Sequence, residues 1–195
     1  PLLKVVRKEQ EFYHGIFFVK ASSKIMKLQD LRGKKIAFAG KHSTSGYLFP
    51  IAHLRENGLG KGAYKTKILK NHQAVAKAVA SGRVNAGACF EDCRIFEWPS
   101  EKDRNEKTRI IAYTGEIPSD PILVRSNLSD EVKMTLRKAF LLTNAQAALL
   151  TLISKNETQI TSFIEAEPKM YDQVVLEREK LKTKGRNKSK SKAKP

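Results

Sequence analysis

The chain has 195 residues, of which 41% are hydrophobic and 29% are charged, and its formal net charge is +17 at pH 7. A chain of this length and composition can bury a sizeable core, which excludes a largely disordered protein. No apolar run is long enough to cross a bilayer, so the sequence predicts no membrane-spanning helix.

The chain begins with two predicted strands, residues 2–7 and 16–19, and a short helical turn over residues 27–33 that ends at a glycine. Residue 1 is a proline that leads straight into the first strand, and no charged-then-apolar leader precedes it. We therefore identify no signal peptide, and we expect that the beginning of a longer protein is missing.

A hydroxyl-rich turn follows the next predicted strand, residues 35–39. Residues 43–46 (Ser-Thr-Ser-Gly) stand where this strand gives way to a helix that ends at Asn57. The first N–H groups of a helix lack internal partners and carry positive partial charge, so such a turn favours an anion. An ordinary N-cap needs only one hydroxyl, which leaves an anion site and a plain cap both open. A nucleotide P-loop is excluded because His42 follows Gly40-Lys41.

The remaining elements continue an alternation of strands and helices. Strands are predicted over residues 64–69, 84–88, 110–114 and 121–125, and helices over residues 72–82, 129–142, 145–155 and 171–182. This order indicates an α/β protein with a mostly parallel sheet and helices on its faces. In such sheets, ligands bind where strands end and helices begin.

Polar side chains lie at several of these strand ends. His72 begins a helix, Glu91 and Asp92 follow the strand at residues 84–88, and Asp120 stands between two prolines in the run Pro-Ser-Asp-Pro. Each has an ordinary alternative, since a lone histidine is often a cap or surface residue and Asp-Pro turns form for conformational reasons. Their convergence on strand ends is what indicates a binding site.

Two features carry no chemistry in this interpretation. Cys89 and Cys93 lie four residues apart, where a disulfide within one helix would be strained, and two ligands are too few for a structural zinc site. We expect them to be free core residues, and we predict no metal or cofactor.

Residues 182–195 hold Lys or Arg at every second position and are predicted to be a disordered basic tail, either solvated or in contact with anionic surfaces.

Five segments occur together in a specific order and spacing: residues 13–19 (Tyr-His-Gly-Ile-Phe-Phe-Val), 28–38 (Leu-Gln-Asp-Leu-Arg-Gly-Lys-Lys-Ile-Ala-Phe), 43–50 (Ser-Thr-Ser-Gly-Tyr-Leu-Phe-Pro), His72, and 117–121 (Ile-Pro-Ser-Asp-Pro). In this combination the chain resembles the phosphonate-, phosphite- and phosphate-binding receptors of ABC importers, which are type II periplasmic binding proteins. The resemblance extends to about residue 180.

The resemblance implies a fold of two lobes with mostly parallel sheets, joined by a hinge and closing on the ligand. Residues 1–20 and 115–181 would form part of the first lobe together with the C-terminal helices. Residues 21–114 would form the second lobe, which carries the hydroxyl-rich turn and His72. Members of the family begin with a βαβ segment that this chain lacks, so we expect the first lobe to be incomplete.

The resemblance also implies a set of ligand-binding residues. They are Tyr13, Ser43, Thr44, Ser45, His72, Asp92 with Glu91 as its neighbour, and Asp120. Hydroxyls, amides and an imidazole N–H donate to bare oxygens of the anion, whereas a carboxylate accepts a P–OH proton or a ligand ammonium and repels sulfate. None of these residues forms a nucleophile–base–orienter set, because Ser43 to Ser45 would be used for anion contacts, so we predict a receptor and not an enzyme.

The resemblance implies an extracytoplasmic, periplasmic solute-binding protein whose partners are a small oxyanion and the membrane subunits of an ABC importer. No specific nucleic acid is expected. Two alternatives stay open. The same fold could be the sensing domain of a signalling protein. Alternatively, the chain could bind nucleic acid through its basic tail and surface, with an affinity that falls steeply with salt.

Overall fold

The computed structural model of the chain describes residues 1–7, 9–142 and 160–191, with side chains described as far as residue 181. The strands are β1 (Leu3–Arg7), β2 (Phe12–Lys20), β3 (Lys35–Phe38), β4 (Lys65–Ile68), β5 (Ala86–Phe90), β6 (Thr108–Pro118), β7 (Pro121–Ile122) and β8 (Ile160–Glu165). The α-helices are α1 (Phe49–Glu56), α2 (His72–Ala80), α3 (Glu101–Lys107), α4 (Asp130–Leu141) and α5 (Asp172–Ser191). The helix predicted over residues 145–155 lies outside the described residues.

The chain divides into two compact units. The first unit holds Pro1–Tyr13 and Pro118–Gln173, and the second holds His14–Ile117 and the C-terminal helix from Val174 onward. The sequence-based boundaries at residues 20 and 115 lie at the end of β2 and inside β6, seven and three residues from the positions where the units change.

The C-terminal helix α5 belongs to the second unit, whereas the sequence assigned it to the first lobe. An ion pair accounts for this placement, because Arg55 Nη2 of α1 lies 2.7 Å from Glu177 Oε2 of α5 and the Glu177 side chain is only 1% exposed. The backbone of α5 continues to Ser191, so the prediction of a disordered tail does not hold for residues 182–191. Among the described residues, no helix is apolar over a length that could cross a membrane.

The second unit is built on a five-stranded sheet in the order β4-β3-β5-β2-β6. Strand β3 runs parallel to both β4 and β5, and β2 runs antiparallel to β5. Alternate residues of β2 face opposite sides of this sheet, which gives two cores. Ile16 and Phe18 pack with Val75 and Val79 of α2, while Phe17 packs with residues of the opposite face, including Ile36, Phe38 and Leu54.

The first unit contains a three-stranded sheet in the order β7-β1-β8, and both pairings are antiparallel. The expectation of a mostly parallel sheet does not describe this unit. A parallel pair requires a helical crossover, and within the described residues no βαβ connection joins β1 to either neighbour. Its core is small and centres on Leu2, Leu3, Val5 and Phe163.

Cys89 and Cys93 form a disulfide, so the prediction of two free cysteines is wrong. The prediction considered both residues on one helix. In the structure Cys89 lies in β5 and Cys93 begins a 3-10 helix (Cys93–Phe96), with a turn between them. The two Cα atoms are 6.1 Å apart, which is within the ordinary range for a disulfide.

Candidate functional site

Three segments meet at one edge of the second unit because β3, β4 and β5 are parallel and their carboxyl ends lie on the same side. The hydroxyl-rich turn follows β3, His72 begins α2 after β4, and Glu91 follows β5 directly. This convergence is the one predicted from the order of strands and helices in the sequence.

The hydroxyl-rich turn forms a single π-helical turn, Thr44–Leu48, that continues into α1. Ser43 is its N-cap, since its Oγ accepts a hydrogen bond from the Gly46 N–H at 3.0 Å. Of the three hydroxyl residues in the turn, only Ser43 is therefore used to cap the helix. Thr44 and Ser45 occupy the first turn, where a helix offers no earlier carbonyl to the amide N–H groups, so these amides are suited to an anion.

His72 joins this turn to the end of β5. Its Nε2 lies 3.3 Å from Ser43 Oγ, and its Nδ1 accepts a hydrogen bond from the Phe90 N–H at 3.3 Å. An Nδ1 that accepts leaves the imidazole proton on Nε2, so His72 donates to Ser43. Asn71 and not His72 caps α2, because Asn71 Oδ1 accepts from the Ala74 N–H at 2.9 Å.

Burial lowers the pKa of His72 to about 4, because desolvation disfavours the charged imidazolium. The ring is covered in part by Phe90, whose ring stands edge-on to it with the centroids 4.9 Å apart. His72 is therefore neutral near pH 7 and acts as a donor through one nitrogen only.

Close packing behind the turn requires glycine at two positions. A Cβ at Gly46 would lie 2.5 Å from Ala39 Cβ and 2.8 Å from His72 Cε1. A Cβ at Gly15 of β2 would lie 2.7 Å from the Ser45 carbonyl oxygen. The turn is thus held against β2 and against His72 by backbone surfaces that have no room for a side chain.

We expect Gly46→Ala to lower the thermal stability of the protein and to remove anion binding together, because the new methyl group lies too close to both Ala39 and His72 and must displace them. Gly60→Ala is the matched control, since no atom lies within 4 Å of a Cβ at that position and its φ is not positive. Thermal unfolding and ligand titration of both variants test this. Unchanged binding by a folded Gly46→Ala protein would contradict the packing account.

Of the two acidic residues after β5, Asp92 is already paired. Its carboxylate accepts from Arg94 Nε at 2.8 Å and Arg94 Nη2 at 2.9 Å, and Arg104 Nε lies 3.2 Å away. These cations were not foreseen, although Arg94 stands only two residues further along the chain. Glu91 is exposed, and its backbone N–H donates to the His14 carbonyl. The Asp92 carboxylate is thus occupied by two arginines, whereas the Glu91 side chain is exposed, and the ligand roles of both residues stay predictions.

Tyr13 and Asp120 lie in the first unit. Asp120 Oδ2 pairs with Arg7 Nη2 of β1 at 2.7 Å. This partner was not predicted, because nothing in the sequence links the two positions. Burial raises the pKa of the Tyr171 phenol and the nearby Asp120 carboxylate adds to that effect, while the Tyr171 hydroxyl donates to the Ser119 carbonyl. The ligand roles of Tyr13 and Asp120 stay predictions.

Comparison with known proteins decides the family. Residues 1–171 match the model of the family described as "ABC transporter, phosphonate, periplasmic substrate-binding protein". The chain belongs to this family. The match includes residues of both units, with the hydroxyl-rich turn, His72 and both acidic segments, so the resemblance noted from the sequence is confirmed.

Individual relatives agree with this phosphonate-binding family. The chain is 28% identical over 126 residues to the "Phosphonates-binding periplasmic protein" of Escherichia coli (strain K12), covering 62% of this chain and 37% of that protein. It is 36% identical over 72 residues to the "Phosphate-import protein PhnD" of Mycolicibacterium smegmatis, covering 33% and 22%. The chain thus spans well under half the length of these two curated relatives.

A solved structure supports the fold. XAC2383 from Xanthomonas citri, determined bound to ATP, superposes with a TM-score of 0.73 at 26% identity, covering 91% of this chain and 68% of that one. The mixed α/β fold of type II periplasmic binding proteins is therefore confirmed for this chain.

As for metals, no group of three or more His, Cys, Asp or Glu side chains in the described part of the chain could hold an ion.

Proposed function

We propose that this chain is the ligand-capturing part of a solute-binding protein that delivers phosphonate, phosphite or phosphate to an ABC importer. The family to which the chain belongs consists of substrate-binding transport proteins, and the names of two relatives specify phosphonates and phosphate. We propose binding without turnover, because Ser43 Oγ accepts from the Gly46 N–H and from His72 Nε2–H, and a nitrogen that donates to the hydroxyl is not the base that would remove its proton.

The observation that carries the proposal is the direction of the hydrogen bonds at Ser43. Its oxygen accepts from the Gly46 N–H and from His72 Nε2–H. Both acceptor positions are then used, so the hydroxyl hydrogen is left to donate. A hydroxyl donor beside the amides of Thr44 and Ser45 suits an unprotonated oxygen of a tetrahedral oxyanion.

Discrimination among oxyanions would come from acidic side chains. Glu91 follows β5 at the same edge as the turn, and its carboxylate can only accept a hydrogen bond when ionised. A phosphonate or phosphite can retain a proton, and an aminophosphonate carries an ammonium, whereas sulfate has neither. Asp120 would act in the same way, with Arg7 holding one of its oxygens.

We further propose an extracytoplasmic location. The matching family and the E. coli relative are described as periplasmic, and the Cys89–Cys93 disulfide is of the kind that persists in oxidising compartments. The partners would be the membrane subunits of the importer. The basic C-terminal segment is not needed for anion capture, so removing residues 183–195 should leave that activity unchanged.

Calorimetric and thermal-shift titration tests the function. The ligands are methylphosphonate, 2-aminoethylphosphonate, phosphite, phosphate, sulfate and, because a relative was solved with it, ATP. A true ligand at about a hundredfold excess over its dissociation constant should stabilise the protein by about 2.7 kcal/mol. Binding of phosphonate, phosphite or phosphate in preference to sulfate supports the proposal. A folded protein that binds none of these three oxyanions would refute it.

A further inference from the structure

The disulfide lies beside the candidate anion site, because Cys89 directly precedes Phe90, whose N–H bonds to His72. Cys89 is the penultimate residue of β5, and Cys93 begins the 3-10 helix; both are 0% exposed. The three residues between them supply the Phe90 N–H that bonds His72, the exposed Glu91, and the paired Asp92.

We propose that the Cys89–Cys93 disulfide is a positioning device for anion binding: it holds the Phe90 N–H against His72 Nδ1 and thereby fixes His72 as a donor to Ser43. The inference rests on the proposed function and adds a requirement to it. Anion affinity should depend on the oxidised state of this cysteine pair.

Hydrogen bonds between strands hold the end of β5 on one side only. Strand β3 pairs with β5 only as far as Ala88, so beyond that residue the strand pairing of β5 is with β2, through Cys89 to Ile16 and Phe90 to Gly15. His72 lies on the side where β3 has ended. Cys89 and Cys93 belong to the same buried cluster as Val75 and Val79 of α2, so the disulfide links the end of β5 to the 3-10 helix on the sheet face that α2 covers. This link would restrain the end of β5 and keep the Phe90 amide directed at the imidazole.

The Phe90 N–H matters because it decides which ring nitrogen of His72 carries the proton. With Nδ1 accepting from Phe90, the proton resides on Nε2 and is donated to Ser43. Without that bond the neutral ring can adopt either tautomer. In the other tautomer Nε2 accepts from Ser43, which would draw the Ser43 hydroxyl hydrogen away from an anion.

The redox chemistry is a thiol–disulfide exchange. The thiols of Cys89 and Cys93 react with an external disulfide R–S–S–R to give the internal disulfide and two R–SH, so two electrons and two protons pass to the external disulfide. A disulfide-bearing oxidant is available in oxidising compartments and scarce in reducing ones. An anion site that depends on this disulfide would therefore reach its full affinity only after export.

The test compares the oxidised chain with Cys89→Ala/Cys93→Ala. Methylphosphonate and phosphate affinities are measured by calorimetry, and the His72 tautomer is read from the ¹⁵N chemical shifts of the imidazole. Val84→Ala is the matched control, because Val84 belongs to the same core cluster but lies outside the segment between the cysteines. Circular dichroism establishes that each variant is folded.

We expect about a tenfold loss of affinity in the double variant, corresponding to the loss of one positioned hydrogen bond, together with a change from the Nε2–H tautomer to a mixture. Val84→Ala should lose stability with unchanged affinity and tautomer. Should the double variant not fold, the same measurements are made on the native chain before and after reduction by a phosphine, with reoxidation expected to restore affinity. Unchanged affinity and tautomer in a folded reduced or substituted protein would overturn the inference. Failure of the oxidised chain to bind would instead refute the proposed function.

Discussion

Ser43→Ala should lower the affinity for methylphosphonate by about ten- to a hundredfold, because the hydroxyl would contribute a hydrogen bond to a charged group, worth about 1.5–3 kcal/mol. The substitution also leaves the Gly46 N–H and His72 Nε2–H without their acceptor. Adding Ser45→Ala should bring binding below detection while circular dichroism stays unchanged. Isothermal calorimetry measures the effect.

Ser100→Ala is the matched control for this prediction. Ser100 caps α3 through the same kind of bond, with its Oγ accepting from the Asp103 N–H at 3.0 Å, and its hydroxyl donates to the Asp103 carboxylate and not to the hydroxyl-rich turn. Its loss should cost about 1 kcal/mol of stability and no affinity. Equal loss of affinity in both variants would show that capping, and not anion contact, explains the importance of Ser43.

The ligand-free protein should lose stability as the pH falls from about 6.5 to about 4, because His72 is buried in its neutral form. The unfolded chain takes up a proton at this histidine near pH 6.5, whereas the folded chain does so only at about 4. Between these pH values the unfolded state binds more protons than the folded state, so acidification lowers the free energy of unfolding. Neutral, buried His72 contributes at most about 3 kcal/mol to the free energy of unfolding. This contribution is fully present above pH 6.5 and is lost as the pH falls to about 4.

His72→Gln should flatten this pH dependence, since glutamine does not titrate in the window. Burial also lowers the pKa of His53, so His53→Gln serves as the comparison and should remove a smaller part of the effect. Thermal unfolding followed between pH 4 and 7 gives both values. If the pH dependence of His72→Gln matched that of the unsubstituted protein, the buried neutral imidazole would not be present in solution.

The order of strands and helices was sufficient to predict much of the second unit and of its candidate site. Parallel pairing of β3 with β4 and β5 follows from the helices between them, and it places the hydroxyl-rich turn and His72 at one edge. The strand β8 and the helix α3 were not predicted, because β8 alternates only weakly and α3 buries no residue.

The contacts that tune the site could not be predicted from spacing. The disulfide depends on β5 ending between the two cysteines, which moves Cys93 off the line of the strand. The tautomer of His72 depends on a backbone N–H, which every residue except proline possesses and no sequence pattern marks. The pairing of Asp92 with Arg94 and Arg104 likewise depends on how the turn after β5 directs its side chains.

The most direct test of the account is an NMR titration of the ¹⁵N-labelled chain with methylphosphonate. Binding at the hydroxyl-rich turn predicts saturable changes in the amide resonances of Thr44, Ser45 and Gly46 and in the Nε2–H resonance of His72, all with one dissociation constant. Saturable binding that leaves these four signals unmoved, or no binding at all by the folded chain, would contradict it.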